Sequence, residues 1–264
     1  MQILFFKALW GMTEGATLRD KFRIAKEAHF DGIEAAIESY DAKEIKSLCA
    51  EFDLKFIAQI FPETPEAIES GIVRSMEAGA QKIVSHTGRD KWSFERGCEL
   101  FRAALALEEK HGIPIAHETH RHRMLYSPWS TAQYLEEFPD LQLTLDLSHW
   151  CVVCESLLAD VPEMVDAAQQ RAIHLHARVG YEEGPQVPDP GAPEYRRHLE
   201  AHERWWDTLK SKREADGTGT FTITPEFGPP NYLHTLPHTN QPVADLWKVN
   251  LWMRDRLKDR WRLN

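Results

Sequence analysis

Glu118, Asp146, His176 and Glu226 are the residues of this chain whose types and placing suit metal-assisted chemistry. Each closes a short apolar run: IPIAHE (113 to 118), QLTLD (142 to 146), AIHLH (172 to 176) and FTITPE (221 to 226). Successive side chains of a strand point to opposite faces, so each run sorts into two sets. In the last run Thr222, Thr224 and Glu226 share a face, opposite Phe221, Ile223 and Pro225. Likewise Gln142, Thr144 and Asp146 oppose Leu143 and Leu145, and His174 and His176 oppose Ile173 and Leu175. Glu118 falls in line with Ala116 below it. The apolar sets suit a helix layer, which leaves the polar sets pointing inward with an ionisable residue at each strand end. Three carboxylates and one imidazole converging from adjacent strands can surround one divalent ion. Hard oxygen donors with a single nitrogen suit Mn²⁺, Mg²⁺, Zn²⁺ or Co²⁺, whereas Cu⁺ would want sulfur. A carboxylate beside a dication is also a natural base for a proton next to a carbonyl. Glu118 and Glu226, on strands separated by two others, can approach a substrate from opposite sides, one removing the proton and the other returning it.

Four more strand-like runs precede these: ILFFKAL (3 to 9), GIEAAI (32 to 37), KFIAQI (55 to 60) and KIVSH (82 to 86). Amphipathic stretches separate them. LRDKFRIAKEAH follows the cap candidate Thr17, and FERGCELFRAALALEEKHG stops at a glycine, as helices often do. Eight strand–helix units of about 33 residues predict a single (β/α)₈ TIM barrel over residues 1 to 264. A doubly wound sheet would carry a Gly-rich phosphate turn after its first strand, and this sequence has none. Barrel enzymes place their catalytic groups at the C-terminal ends of the strands, where the four residues fall.

Composition narrows the function classes. The 264 residues carry 41 acidic and 31 basic side chains, a net charge of −10 that counts against a nucleic-acid partner. At 42% hydrophobic residues the chain can build a core, and no apolar run is long enough for a membrane span. The opening MQILFFKALWGM lacks the basic start and cleavage site of a signal peptide, and four cysteines form no disulfide framework, so a cytoplasmic protein is expected.

With HETH at 117 to 120, DLSHW at 146 to 150, HLHARVG at 174 to 180 and PEFG at 225 to 228, the whole chain resembles the xylose isomerase-like TIM barrel superfamily, whose members are often labelled sugar phosphate isomerases or epimerases. The pair Asp146 and His149 is the most specific element. The resemblance implies the same four ligands, Glu118, Asp146, His176 and Glu226, around one divalent metal. It also implies that His149 and an arginine after the strand-seven histidine touch substrate. In the epimerases that arginine lies six residues on; here Arg178 is two on and position 182 is Glu. The segment from 178 to 195 is also longer and richer in proline than theirs. The implied activity is isomerisation or epimerisation of a sugar or polyol-type carbonyl compound. The alternatives are a metal-dependent lyase or hydrolase, such as a keto-inositol dehydratase, or a non-catalytic sugar-binding barrel.

The superfamily's trinuclear-zinc apurinic-site endonucleases would use His86 and His149 as ligands, and Asp189 fits part of their pattern. Position 191 is Gly rather than His, however, and strand three ends near Gln59 rather than a histidine. His86 and His120 are then substrate contacts, or supports for the ligands, or structural histidines. Trp10 and Trp150 fall at strand ends where they could line a sugar pocket, whereas Trp205, Trp206, Trp247 and Trp252 suit core or interface. Glu34 points inward on strand two as the partner of a buried cation or a substrate contact. Cys151 and Cys154 form a lone C-x-x-C without the second pair a zinc ribbon needs. The tail from 252 to 264 has a mixed-charge helix face, solvated or packed on another subunit, which leaves room for a homo-oligomer.

Overall fold

A computed structural model describes residues 1–263, and in it the eight expected strands close into a parallel barrel. They are β1 (Gln2–Ala8), β2 (Gly32–Ala36), β3 (Lys55–Ile60), β4 (Lys82–Ser85), β5 (Ile115–Glu118), β6 (Gln142–Leu145), β7 (Ala172–His176) and β8 (Thr220–Thr224). Each pairs with the next, and β8 returns to β1 with Ile3 beside Phe221. Between them run α1 (Leu18–Glu27), α2 (Ala42–Phe52), α3 (Pro65–Glu77), α4 (Phe94–His111) and α5 (Pro128–Glu137). They are followed by α6 (Leu147–Cys154), α7 (Pro162–Arg171), α8 (Arg196–Ala215) and α9 (Leu246–Trp261). Local chemistry sets their ends. Thr17 and Asp20 form a reciprocal capping box on α1, and Gly112 ends α4 in the left-handed region at φ 66°. Helix α6 is extra to the alternation; Asp146 caps it, so one carboxylate both ends β6 and opens a helix.

Strand parity divides the core as the period-two pattern predicts. Phe5, Ile33, Phe56, Ile83, Leu143 and Ile223 face the helices in one continuous cluster. Inside the barrel the lining is split. Leu4, Phe6, Ile57 and Val84 form a small apolar cluster from β1, β3 and β4, while β5 to β8 contribute polar side chains. Gly32 has no side chain because Phe6 occupies that space. Lys82 donates to the Ile173 carbonyl at 2.7 Å and to Thr222 Oγ1 at 3.0 Å, closing the floor beneath the polar half.

Two sequence expectations need correction. Trp150 lines no pocket: as a residue of α6 it is fully buried, its indole donating to the Leu125 carbonyl at 3.0 Å. The C-terminal tail is not merely a solvated or intersubunit face, because Val249, Met253 and Leu257 bury one side of α9. Its Arg256 and Arg260 reach buried Glu203 on α8 at 2.7 and 2.9 Å. Asn264, the last residue of that tail, lies outside the described residues. All four cysteines are free thiols, and no helix among the described residues is long and apolar enough to cross a membrane.

Buried histidines brace this framework. On β5, His117 Nδ1 meets Thr87 Oγ1 at 2.6 Å, and burial pushes its pKa down to about 3. On α8, His202 Nδ1 donates to the His198 carbonyl while Nε2 accepts from Gly180 N at 3.2 Å; burial pushes it down to about 4. An unfolded histidine titrates near 6.5, so between there and the folded values the unfolded chain binds more protons. The stability from each is complete above about pH 6.5 and is lost as pH falls, by up to about 1.4 kcal/mol per pH unit per group. Urea midpoints at pH 7, 6 and 5 should therefore fall more steeply in the wild type than in His117→Gln or His202→Gln; equal slopes would contradict this account.

Candidate metal centre

Four strand ends bring one ligand atom each from Glu118, Asp146, His176 and Glu226 to within 4.8 Å of one another. The β-register explains why. His176 pairs with Thr224 across β7 and β8, and Glu118 pairs with Thr144 across β5 and β6, so Asp146 and Glu226 each lie one pleat beyond a paired threonine. Thr119 ties β5 to β6 at this level, accepting from Asp146 N at 2.8 Å and donating to the Asp146 carbonyl at 3.0 Å.

Each ligand is held from behind. Asp146 Oδ1 accepts from Ser148 N and Oγ at 3.0 and 2.5 Å, and its Oδ2 pairs with the Arg178 guanidinium. His176 directs Nε2 to Glu34 Oε1 at 2.8 Å, a contact that leaves Nδ1 to face the other ligands. Nδ1 lies 3.0 Å from Glu226 Oε2 and 3.3 Å from Glu118 Oε1. None of these approaches has hydrogen-bond geometry. His176 Nδ1 and Glu118 Oε1 are buried without a hydrogen-bond partner, and Glu118 Oε2 faces His86 Nε2 at 2.6 Å. Orphaned buried donors and acceptors are rare, and a group aimed at one point with no partner suits an absent ion. The hard donor set and these orphaned atoms fit a divalent metal, so the buried acidic and imidazole groups could bind one.

The electrostatics are those of a site crowded with negative charge. Burial alone would depress His176, but Glu226, Glu34 and Glu118 hold its pKa well above the usual imidazole value. Burial pushes Asp146 up to about 6 despite the pull of Arg178. Burial would also raise Glu118, yet His86 and His176 hold it well below the carboxylate range. Glu34 lines no opening; it accepts from Gln59 Nε2 at 2.8 Å, contacts His174 Nε2 at 3.1 Å and receives the Thr224 hydroxyl. Two further groups could hold an ion: His86, Glu118 and His120, and the sealed trio Glu34, His174 and His176.

Above the ligands lies a cavity of about 300 Å³. Glu226, His86, His120, Arg178 and Trp10 all line it, as do Gln59, Phe61, Tyr40 and Arg123. His149 does not. It is fully buried beneath His120, their ring centres 3.8 Å apart, and its Nε2 lies 2.7 Å from Arg178 Nη2. A guanidinium can only donate, so His149 Nε2 accepts and its proton resides on Nδ1. Arg178 is anchored as firmly, donating to Ser148 Oγ at 3.1 Å and to the Glu226 carbonyl at 3.0 Å. Asp189 is turned away, accepting from Gly191 N at 2.8 Å. The proline-rich segment from 178 to 195 pins the loop after β8, where Gln186 grips the Gly228 backbone by both its N–H and its carbonyl, at 2.7 and 3.2 Å. Gly228 must lack a Cβ because the Trp10 ring lies against it.

Period-two reading misses the cavity residues that loops deliver. Tyr232 packs edge-on to Trp10 at 4.9 Å and reaches His120 Nε2 at 3.5 Å, but it belongs to an irregular stretch after β8 with no periodicity to mark it. Gln59 is within reach of such a reading, since it shares the inward face of β3 with Ile57.

No significant match emerges among curated proteins. Solved structures do match over nearly the whole chain. An AP endonuclease of family 2 from Brucella melitensis has a TM-score of 0.66 at 16% identity, covering 96% of this chain and 98% of that one. A probable 3-DHS dehydratase, AsbF, from Bacillus anthracis gives 0.64 at 17% identity, covering 98% and 100%. A sugar phosphate isomerase/epimerase from Parabacteroides distasonis gives 0.61 at 12% identity, covering 97% and 93%. Identities this low establish the shared fold alone. The family model described as xylose isomerase-like TIM barrel matches residues 22–203, well over half of the chain. The chain therefore belongs to the xylose isomerase-like TIM barrel family.

Proposed function

We propose that the protein is a divalent-metal-dependent isomerase or epimerase of a sugar or polyol-type carbonyl compound. The observation that carries this reading is the convergence of Glu118, Asp146, His176 and Glu226, with their orphaned atoms, directly beneath a cavity of about 300 Å³. That volume lies at the lower end of small-molecule pockets and suits a compact polar substrate. When bound, a dication would supply Lewis-acid stabilisation of negative charge developing on substrate oxygens.

The chain's own residues handle the proton. Glu226 lines the cavity and is oriented by Gln59 Nε2 at 3.1 Å and Arg178 Nη1 at 3.4 Å, placed to take a proton from the carbon next to a carbonyl. Glu118 lies across the ligand set, screened from the cavity by His86, whose Nε2 is 2.6 Å from Glu118 Oε2. Glu118 does not itself face the cavity, so a proton returned to the opposite face of the substrate would be handed over by His86, which does. Trp10 and Tyr232, packed edge to face at 4.9 Å, give the cavity an aromatic wall that limits access of water. His86 and His120 line the cavity beside the ligands, where a substrate would lie against their rings. The endonuclease reading has less support: among the described residues, no group able to share an ion includes His149 or Asp189.

Two measurements test the reading. Because an ion bound only by the folded state adds about 2.7 kcal/mol at 100 times its dissociation constant, chelation should lower the melting temperature by roughly 5–10 °C. Mn²⁺ or Zn²⁺ should restore it in the wild type and in His174→Ala, but not in His176→Ala; a wild-type response in His176→Ala would remove the four-strand site. The second test follows keto-sugars in D₂O. Glu226→Gln should stay folded and lose roughly 10²–10⁴-fold in turnover, together with solvent deuterium incorporation. Loss of water from the substrate without isomer would instead favour a lyase, and full activity in the variant would exclude Glu226 as the base.

A further inference from the structure

The cavity has a cationic rim that the metal-centred chemistry leaves unused. Arg123 lines it half-buried, and among the described residues its guanidinium makes one hydrogen bond, a long 3.3 Å contact to the Gly88 carbonyl. Arg121, two residues earlier, lies 4.9 Å over the Tyr232 ring. Neither makes an ion pair with a carboxylate among the described residues. The acids nearby are engaged elsewhere: Glu63 takes Arg89 Nε at 2.6 Å, and Asp90 faces His122 at 3.4 Å. Arg178, the other guanidinium of the cavity, is tied to Asp146 and Glu226.

An always-charged guanidinium withdrawn from water without a counter-ion is costly. Its stack on Phe61, at 5.8 Å from the ring centre, is at the outer limit of a useful cation–π contact. Burial and the neighbouring Arg89 disfavour its charge, and the attraction of Glu63, Glu118 and Asp90, none of them paired with it, offsets this only in part. The wall of the cavity leads from this rim straight to the ligands: Phe61 packs on His86 with ring centres 4.6 Å apart, and His86 touches Glu118. On a protein of net charge −10, such a spot selects for an anion.

We infer that Arg123 is a subsite for an anionic group, carboxylate or phosphate, carried by a small-molecule substrate whose carbonyl end faces Glu226, with Arg121 adding positive charge from the Tyr232 side. The function proposed above enters only in placing that carbonyl end. A planar fork of N–H donors matches either anion, and such charge-assisted pairs are the strong ones.

Calorimetric titration of the metal-loaded protein with D-fructose, D-fructuronate and D-fructose 6-phosphate tests this, since the three differ only at the sixth carbon. One of the anions should bind roughly tenfold or more tightly than fructose, and which one identifies the group. Arg123→Gln should abolish the preference, Arg121→Gln should weaken it, and Arg123→Lys should keep part of it. Should none of the three bind, acetate and inorganic phosphate at constant ionic strength should still give saturable binding that Arg123→Gln removes. Running the series in Glu226→Gln separates the two ideas, because the rim should keep its anion preference whether or not that variant turns over. Equal affinity for neutral and anionic probes, a preference surviving in Arg123→Gln, or no saturable anion binding at all would overturn the assignment.

Discussion

The structure depends on keeping several carboxylates apart from water at one end of a barrel. Glu34, Glu118, Asp146 and Glu226 are all at most 4% exposed and crowd around the single imidazole of His176. Like charges so placed are destabilising unless cations or hydrogen-bond donors compensate them. Arg178 and His176 provide the charge within the chain, and Ser148, Gln59 and Thr224 provide donors. The compensation is incomplete at Glu118, whose Oε1 has no hydrogen-bond donor and whose Oε2 faces only the His86 imidazole at 2.6 Å. That local deficit is what a dication would relieve, and it makes the metal and the stability of the fold one question.

The division of the barrel interior follows from the same constraint. Were all eight strands to present polar groups inward, the interior would need more hydrogen bonds than a narrow barrel can arrange. Leu4, Phe6, Ile57 and Val84 fill one side with close-packed apolar atoms, and the polar network is confined to the other, floored by Lys82. His174, one layer below the ligands, passes the network down by joining Glu34 to Thr222. A rigid apolar wall on one side thus fixes where the charged wall can stand.

What the sequence displays is what strand geometry imposes on it. Alternation along QLTLD, AIHLH and FTITPE is enforced by the pleat, so Asp146, His176 and Glu226 can be placed from their neighbours alone. Thr17 and Gly112 mark helix ends because unsatisfied backbone groups at a helix terminus demand particular residues. No comparable rule governs the loops. The family resemblance implies that His149 touches substrate, yet α6 begins just after Asp146 and turns it beneath His120, into the grip of Arg178. Trp150 goes into the core for the same reason, carried round by the first turn of a helix that the alternation does not require. Tyr232, Gln186 and Arg123 reach the site through tertiary contacts between distant segments, which leave no period behind.

This contrast bears on how one barrel can serve different reactions. The ligand residues stand at strand ends, where the register of eight paired strands holds them, and a change there would strand a buried charge. The rim residues stand on loops whose backbone is pinned separately, as Gln186 and Asn250 pin Gly228 and Phe227 from two directions. Such loops can exchange an arginine for an aromatic ring without disturbing the charge balance beneath. On the function proposed above, the proton chemistry would belong to the barrel, and the choice of substrate to Trp10, Phe61, Arg123 and Tyr232, which line its mouth. On that proposal the rim, whose side chains carry none of the charge balance at the strand ends, would set this protein's specificity more than the four strand-end residues.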